Sequence, residues 1–436
     1  MNQPISPLAE ELNQAILRSN KTTLELLSSY GKRLFFPKGI VSQSAEAAQK
    51  AKVFDATIGI AKEHGHAMML PSLEDFIHLK TPAYKVLPYA PSAGLPELRR
   101  LWQERQKKSN PSLKKSSLPI VTSGLTHGLS LAGELFLDPG DSLVLPDMFW
   151  GNYKLIWQIK GEAQFFSFPF FDQKLEKFNL KGFEETLEKV PSEKIFLALN
   201  FPHNPTGYSL TQEESKALCQ SLKKFAERGK KIVALCDDAY FGLTFEKGLK
   251  RESLFADLCE LHENILAVKI DGCTKEFFLW GMRIGFITFG SKGLSEEAYK
   301  ALEQKASAAL RGNISNVNHH SQELVKELFE SPNIEEEAKA KEIILKERYK
   351  ETKKHVYKNA YKEFWDVYPF NSGYFMCIRL KNNMNSEKLR LHLLEKYETG
   401  VISLGSSDVR IAFSCIEKES IGALFETLGK ACQSLS

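Results

Sequence analysis

The chain has 436 residues, 43% of them hydrophobic and 26% charged, with a formal net charge of +4. That length exceeds one simple core and suggests two or three domains of ordinary globular composition. Scattered lysine doublets read as solvated faces, and seven cysteines form no Cys-x-x-Cys pair, which argues against a nucleic-acid interface, a disulfide framework and a metal cluster. The N-terminus carries no basic-then-apolar leader and no apolar run approaches membrane-spanning length, so a soluble cytoplasmic protein is expected.

Residues 8–36 carry helical periodicity, from Leu8, Leu12 and Ile16 to Tyr30, and Phe36-Pro-Lys-Gly39 reads as a loop. Phe54 to Ala61 is a short strand or extended turn. Leu87 to Arg99 is a Pro/Gly loop entering a helix, with Pro96 suited to the first turn. From residue 118 strands alternate with helices. Leu118–Thr122, Ser142–Leu145, Ala163–Phe168, Lys194–Leu199 and Lys231–Cys236 are short apolar runs, and Gly128–Leu137 is an apolar helix. Ile265–Ile270 is a further strand, stopped by the turn signal Asp271-Gly272, and Met282–Phe289 another. Near-continuous apolar strands separated by helices indicate an α/β fold with a mostly parallel central sheet covered by helices on both faces. From about 296 the pattern turns helical, notably Asn333–Glu363. The strands Tyr374–Arg379 and Val409–Phe413 and a closing helix, Ile421–Cys432, complete a smaller α+β domain. The expected division is residues 1–85 packing with the small domain, 86–325 as the large domain and 326–436 as the small C-terminal domain.

Three polar stretches follow successive strands, where ligands bind on such sheets. They are Phe201-Pro-His-Asn204-Pro-Thr-Gly207, Asp237-Asp-Ala-Tyr240-Phe-Gly242 and the segment around Lys275. Singly, each has a plain structural reading: a turn, a helix cap and a surface lysine. A lysine at the mouth of a buried strand can also be desolvated, which lowers its pKa and lets it form a Schiff base with an aldehyde.

In order and placement, Asn204-Pro-Thr-Gly, Asp237-x-Ala-Tyr240-x-Gly242 and Lys275 with Arg283 resemble the motifs of aspartate aminotransferases, which are fold-type I enzymes using pyridoxal phosphate. The resemblance runs over roughly residues 59 to 414. It implies that Lys275 holds the cofactor covalently and later carries a proton. Asp237 would pair with the ring nitrogen. Asn204 and Tyr240 would bond the ring's phenolic oxygen. Trp150, in Phe149-Trp150-Gly-Asn152, would stack on the ring. Gly124, Leu125 and Thr126 would cradle the phosphate at a helix opening, with Arg283 as a clamp. Tyr89, in Tyr89-Ala-Pro-Ser-Ala-Gly94, would reach a phosphate across a homodimer with shared active sites. Arg410 would grip the substrate α-carboxylate, helped by the Gly59 backbone. Asn204 and Trp150 would also face substrate. Arg311 would bind the side-chain carboxylate of aspartate or glutamate from the other subunit.

Three departures from the aspartate enzymes stand out. Gly272 replaces a phosphate-binding serine, Tyr153 replaces a histidine behind Asp237, and the Ser123–Gly128 turn has an extra residue. The expected activity is exchange of an amino group between an L-amino acid and a 2-oxo acid, with aspartate or glutamate favoured and aromatic amino acids the nearest variant. A carbon–sulfur β-lyase on the same scaffold is the alternative. A cofactor-sensing regulator is disfavoured because no helix-turn-helix segment precedes the scaffold.

Overall fold

Seven apolar runs pair into the central sheet of the computed structural model, which describes residues 5–19, 21–35, 39–76 and 80–435. They are β1 (Ile120–Ser123), β2 (Ser142–Pro146), β3 (Gln164–Phe168), β4 (Lys194–Asn200), β5 (Lys231–Asp237), β6 (Ile265–Gly272) and β7 (Ile284–Gly290). Their order is β1-β7-β6-β5-β4-β2-β3. β7 runs antiparallel to both neighbours, and every other pairing is parallel. Alternate residues of β4 enter two separate cores, Phe196 and Ala198 on one face and Ile195, Leu197 and Leu199 on the other. Both faces are thus buried, as a continuous apolar strand requires.

The helices that bear on the site are α1 (Ile40–Lys50), α2 (Pro96–Ser109), α3 (Gly124–Phe136), α4 (Cys273–Glu276) and α5 (Glu296–Ile314). The expected start of α3 at Gly128 is corrected to Gly124, whose φ of +72° turns the chain straight from β1 into the helix. The expected turn at Asp271-Gly272 is also corrected, because β6 continues through both. Asp271 is held by the Trp102 indole N–H (2.9 Å) and the Gln106 amide, and Gly272 pairs with Gly285 on β7. The periodic stretch 8–36 divides into helices Pro7–Ser19, Lys21–Leu26 and Ser29–Arg33, the last capped by Ser28. Residues 36–38 of the expected loop lie outside the described residues.

A second, antiparallel sheet contains β8 (Trp365–Val367), β9 (Phe375–Leu380), β10 (Ile402–Leu404) and β11 (Asp408–Ala412), in the order β8-β9-β11-β10. The N-terminal segment is tied to it. Phe54–Asp55 pairs in parallel with Thr399–Gly400, the Ala412 N–H donates to the Ala56 carbonyl, and Glu46 on α1 pairs with Arg390.

β5 and β6 are fastened by buried charge. Lys269 on β6 is 1% exposed, contacts the Asp238 carboxylate just beyond β5 and lies 3.5 Å from Asp271. Ser253 donates to Asp238 at 2.6 Å. Replacing Lys269 by Met leaves two buried carboxylates without their cation. Urea unfolding should show a loss of about 3–5 kcal/mol, and a loss below about 1 kcal/mol would contradict this account.

Candidate active site

A cavity of about 250 Å³ opens between the two sheets. Its wall brings together Gly59, Leu125, Thr126, Trp150, Asn204, Asp237, Tyr240, Lys275, Arg283 and Arg410, ten of the residues singled out in the sequence. Gly124 adjoins it as the first residue of α3. Tyr89 and Arg311 are exposed and do not line this protomer's cavity. The wall also includes Ile40, Asn200, Thr274 and Phe375, which the sequence reading passed over. Thr274 could have been found as the neighbour of Lys275. Ile40 carries no local signal, because it arrives through the docking of α1 on the second sheet, where Gln43 exchanges hydrogen bonds with Ser403.

Asp237 ends β5 and is 4% exposed. Its Oδ2 accepts from the Tyr153 hydroxyl at 2.5 Å and its Oδ1 from the Ala239 N–H at 3.1 Å. Burial pushes this carboxyl up, while the Tyr153 hydrogen bond and the Lys275 amine act in the opposite sense. The residues after it form a turn and no helix, so neither aspartate serves as a helix cap here.

Lys275 sits on the single turn of α4, directly after β6, with its amine 5.3 Å from the Tyr240 ring centre. Burial lowers its pKa to about 8, against the pull of Asp237 and with help from Arg283. Burial raises the Tyr240 hydroxyl. Asn204 is fixed by its N–H donating to Asn200 Oδ1 at 2.8 Å.

Arg410, on β11, is 1% exposed. It donates to Asn204 Oδ1 at 3.1 Å and to the Thr57 carbonyl at 2.7 Å, and its guanidinium lies 4.2 Å from the Phe375 ring centre. Its Nε is buried and unpartnered. The residue therefore links the second sheet to the first across the cavity, and its charge faces no carboxylate among the described contacts.

At the other end, α3 begins against β7 with no side chain between them. A Cβ on Gly285 would stand 2.8 Å from the Gly124 carbonyl carbon, and one on Gly272 would stand 2.7 Å from the Gly285 Cα. A Cβ on Gly124 would meet the Arg283 guanidinium at 2.3 Å. Helix N–H groups and a guanidinium are thereby brought to one point, which is the chemistry of a phosphate cradle. The buried Thr274 hydroxyl has no partner.

These features fit pyridoxal phosphate. There is an amine of depressed pKa, a buried carboxylate for a ring nitrogen, an indole beside the cavity, and a glycine-lined helix start with an arginine for the phosphate. An unpartnered hydroxyl and an unpartnered guanidinium nitrogen mark the places where polar ligands are called for.

The model of the family "Aminotransferase class I and II" matches residues 24–428. A probable N-acetyl-LL-diaminopimelate aminotransferase of Bacillus subtilis is 25% identical over 354 residues, covering 78% of this chain and 81% of the relative. An aspartate aminotransferase of Pyrococcus horikoshii is 28% identical over 353 residues, covering 77% and 81%. Among solved structures, an aminotransferase from Anaerococcus prevotii superposes with a TM-score of 0.81 at 24% identity, covering 93% of this chain and 98% of that one. With the fold, the site and the family match agreeing over most of its length, this chain belongs to the class I and II aminotransferases, enzymes that use pyridoxal phosphate to exchange amino groups between amino acids and 2-oxo acids.

Proposed function

We propose that this aminotransferase takes L-aspartate or L-glutamate as amino donor, and that the residues gathered around the cavity act as the sequence motifs imply. The observation that carries the amino-acid reading is Arg410, a buried guanidinium with a free Nε at the cavity wall; the preference for a dicarboxylate rests on the motif around Arg311. It suits an α-carboxylate, which it would hold bidentately beside Asn204.

The bound cofactor supplies a carbonyl carbon to receive the amino group and a ring that withdraws electrons. The protein supplies the rest. Asp237 would keep a charge beside the ring nitrogen, Asn204 and Tyr240 would bond the phenolic oxygen, and Trp150 would stack on the ring. Gly124, Leu125, Thr126 and Arg283 take the phosphate. Lys275 would move a proton at the substrate α-carbon. Its pKa of about 8 leaves part of it as free base near neutrality. The base form grows as pH rises, so proton removal strengthens on the alkaline side.

The same reading makes the protein a homodimer. Tyr89 is 90% exposed, beside Leu87 at 80% and Tyr84 at 71%. Pro88 and Ser92 are hydrogen-bonded to His319 and Ser315, just beyond Arg311. The Tyr89 loop is thus joined to the end of the helix that carries Arg311, beside exposed apolar side chains of the kind that a second protomer covers. From there each would serve the partner's cavity, Tyr89 at the phosphate and Arg311 at the side-chain carboxylate. Residues 1–85 with 326–436, and 86–325, are the units proposed to enclose the substrate. Seven free, buried cysteines suit a cytoplasmic setting. Among the described residues no helix is long and apolar enough to cross a membrane.

Adding L-aspartate to the cofactor-loaded protein without any oxo acid should convert the cofactor to its pyridoxamine form once and then stop, as followed by the visible spectrum. Continuous release of pyruvate and ammonia would instead assign a lyase. Arg311→Leu should cost dicarboxylic substrates about 2–4 kcal/mol in kcat/KM and spare monocarboxylic ones. Equal losses on both would make Arg311 structural. In cofactor-free protein, acylation of the Lys275 amine should rise through a midpoint near the pKa of about 8, and Asp237→Asn should move that midpoint lower still. A midpoint at the ordinary lysine value, about 10.4, would refute the desolvation argument.

A further inference from the structure

Tyr153 stands behind Asp237, on the side away from the cavity, at the entrance to a wide helical turn, Lys154–Ile159. Its ring is 2% exposed and stacks on Trp157 at 4.6 Å and 20°. Trp150 meets it edge-on at 5.7 Å. Trp157 is itself anchored by its indole N–H donating to the Leu129 carbonyl of α3 at 3.0 Å. The phenol is therefore clamped, and its hydroxyl reaches Asp237 Oδ2 at 2.5 Å.

The two donors to Asp237, this hydroxyl and the Ala239 N–H, are both neutral. Neutral donors fix the plane of a carboxylate without cancelling its charge. The other ionisable groups facing Asp237 are the Lys275 amine across the cavity, the Tyr240 hydroxyl and the neighbouring Asp238. Asp238 turns the other way, onto Lys269 and Ser253. A histidine in place of Tyr153 would be a titratable donor, and its protonation would set a second cation against the carboxylate. The buried phenol does not titrate near neutrality.

We propose that Tyr153 is a positioning residue that holds Asp237 in one plane as an anion and reserves its charge for the cofactor's ring nitrogen, independently of pH near neutrality. The proposal rests on the reading of Asp237 as the ring-nitrogen partner.

The test is equilibrium dialysis of the loaded full-length protein from about pH 5.5 to 8.5, with pyridoxal phosphate and with the analogue that has C–H in place of the ring nitrogen. The proteins are the parent, Y153F, Y153H and D237N, each checked for folding by circular dichroism. Y153F should weaken pyridoxal phosphate about tenfold or more and the analogue by under about threefold. The loss should deepen as pH falls, because Asp237 without its donor protonates at a higher pH. Y153H should bring in a pH-dependent step within this range, seen with pyridoxal phosphate and absent with the analogue. Equal losses for both ligands in Y153F would overturn the proposal. Should Y153F fail to fold, a flat profile in Y153H would overturn it. D237N separates the two levels: if it too treats both ligands alike, the ring-nitrogen reading of Asp237 falls. If it discriminates while Y153F does not, the role given to Tyr153 alone falls.

Discussion

Everything at the site depends on how β5 and β6 are held together. Asp237 ends the first and Lys275 follows the second, so a one-residue slip between them would turn every side chain to the opposite face. Lys269 adds to the strand ladder a charged contact that such a slip would break. It pairs across the strands with Cys236 in register, and its ammonium lies between Asp238 and Asp271. A hydrophobic contact at this position would pack as well but would tolerate sliding. A buried cation between two carboxylates tolerates little displacement, since separating the charges leaves each without compensation. The site aspartate and the site lysine are each close in sequence to a member of this cluster, and so inherit its precision.

The sheet was legible because its strands are apolar on both faces, and the three polar stretches were legible because they sit at strand ends in a particular order. The misreadings have local causes. Asp271-Gly272 carries turn residues, yet the Trp102 and Gln106 side chains from α2 hold the aspartate within the strand. Trp102 and Gln106 lie some 165 residues away in sequence, so no window around residue 271 could report them. Gly124 looked like part of a loop before the helix and is its first residue, because a positive φ allows the turn within one position. β8 and β10 span three residues each and offer too little pattern to read. Ile40 reaches the cavity through tertiary docking alone. Arg410 is the opposite case: the motif pointed to it, and its burial and its bridge to Asn204 are what the fold adds.

The cavity is built from two kinds of support. Asp237, Lys275 and α3 come from the ends of a parallel sheet, where strand register sets positions rigidly. Arg410 and Phe375 come from the antiparallel sheet, while Gly59 and Ile40 come from the N-terminal segment fastened to it. The contacts across the cavity are both polar and apolar, among them the Arg410–Asn204 hydrogen bond and the edge-on meeting of the Tyr240 and Phe375 rings at 5.5 Å. A substrate carboxylate that engaged Arg410 would therefore bear on the relation between the two sheets as well as on its own orientation.

The pairing of Gly272 with Gly285 within the sheet, and the packing of Gly285 on the start of α3, couple two properties usually treated as separate. Gly272 has an ordinary extended backbone, so a serine could adopt its dihedral angles. What opposes it is crowding: a Cβ on Gly272 would stand 2.7 Å from the Gly285 Cα of the paired strand and 2.8 Å from the Ile284 carbonyl oxygen. The hydroxyls that can be offered to an anion here are therefore limited by how closely the backbones of the two strands meet. A serine at this position would require the joint between β6 and β7 to give. Sequence drift at residue 272 is thus confined by geometry, and the unpartnered hydroxyl of Thr274 is the nearer route by which such a site could be supplied.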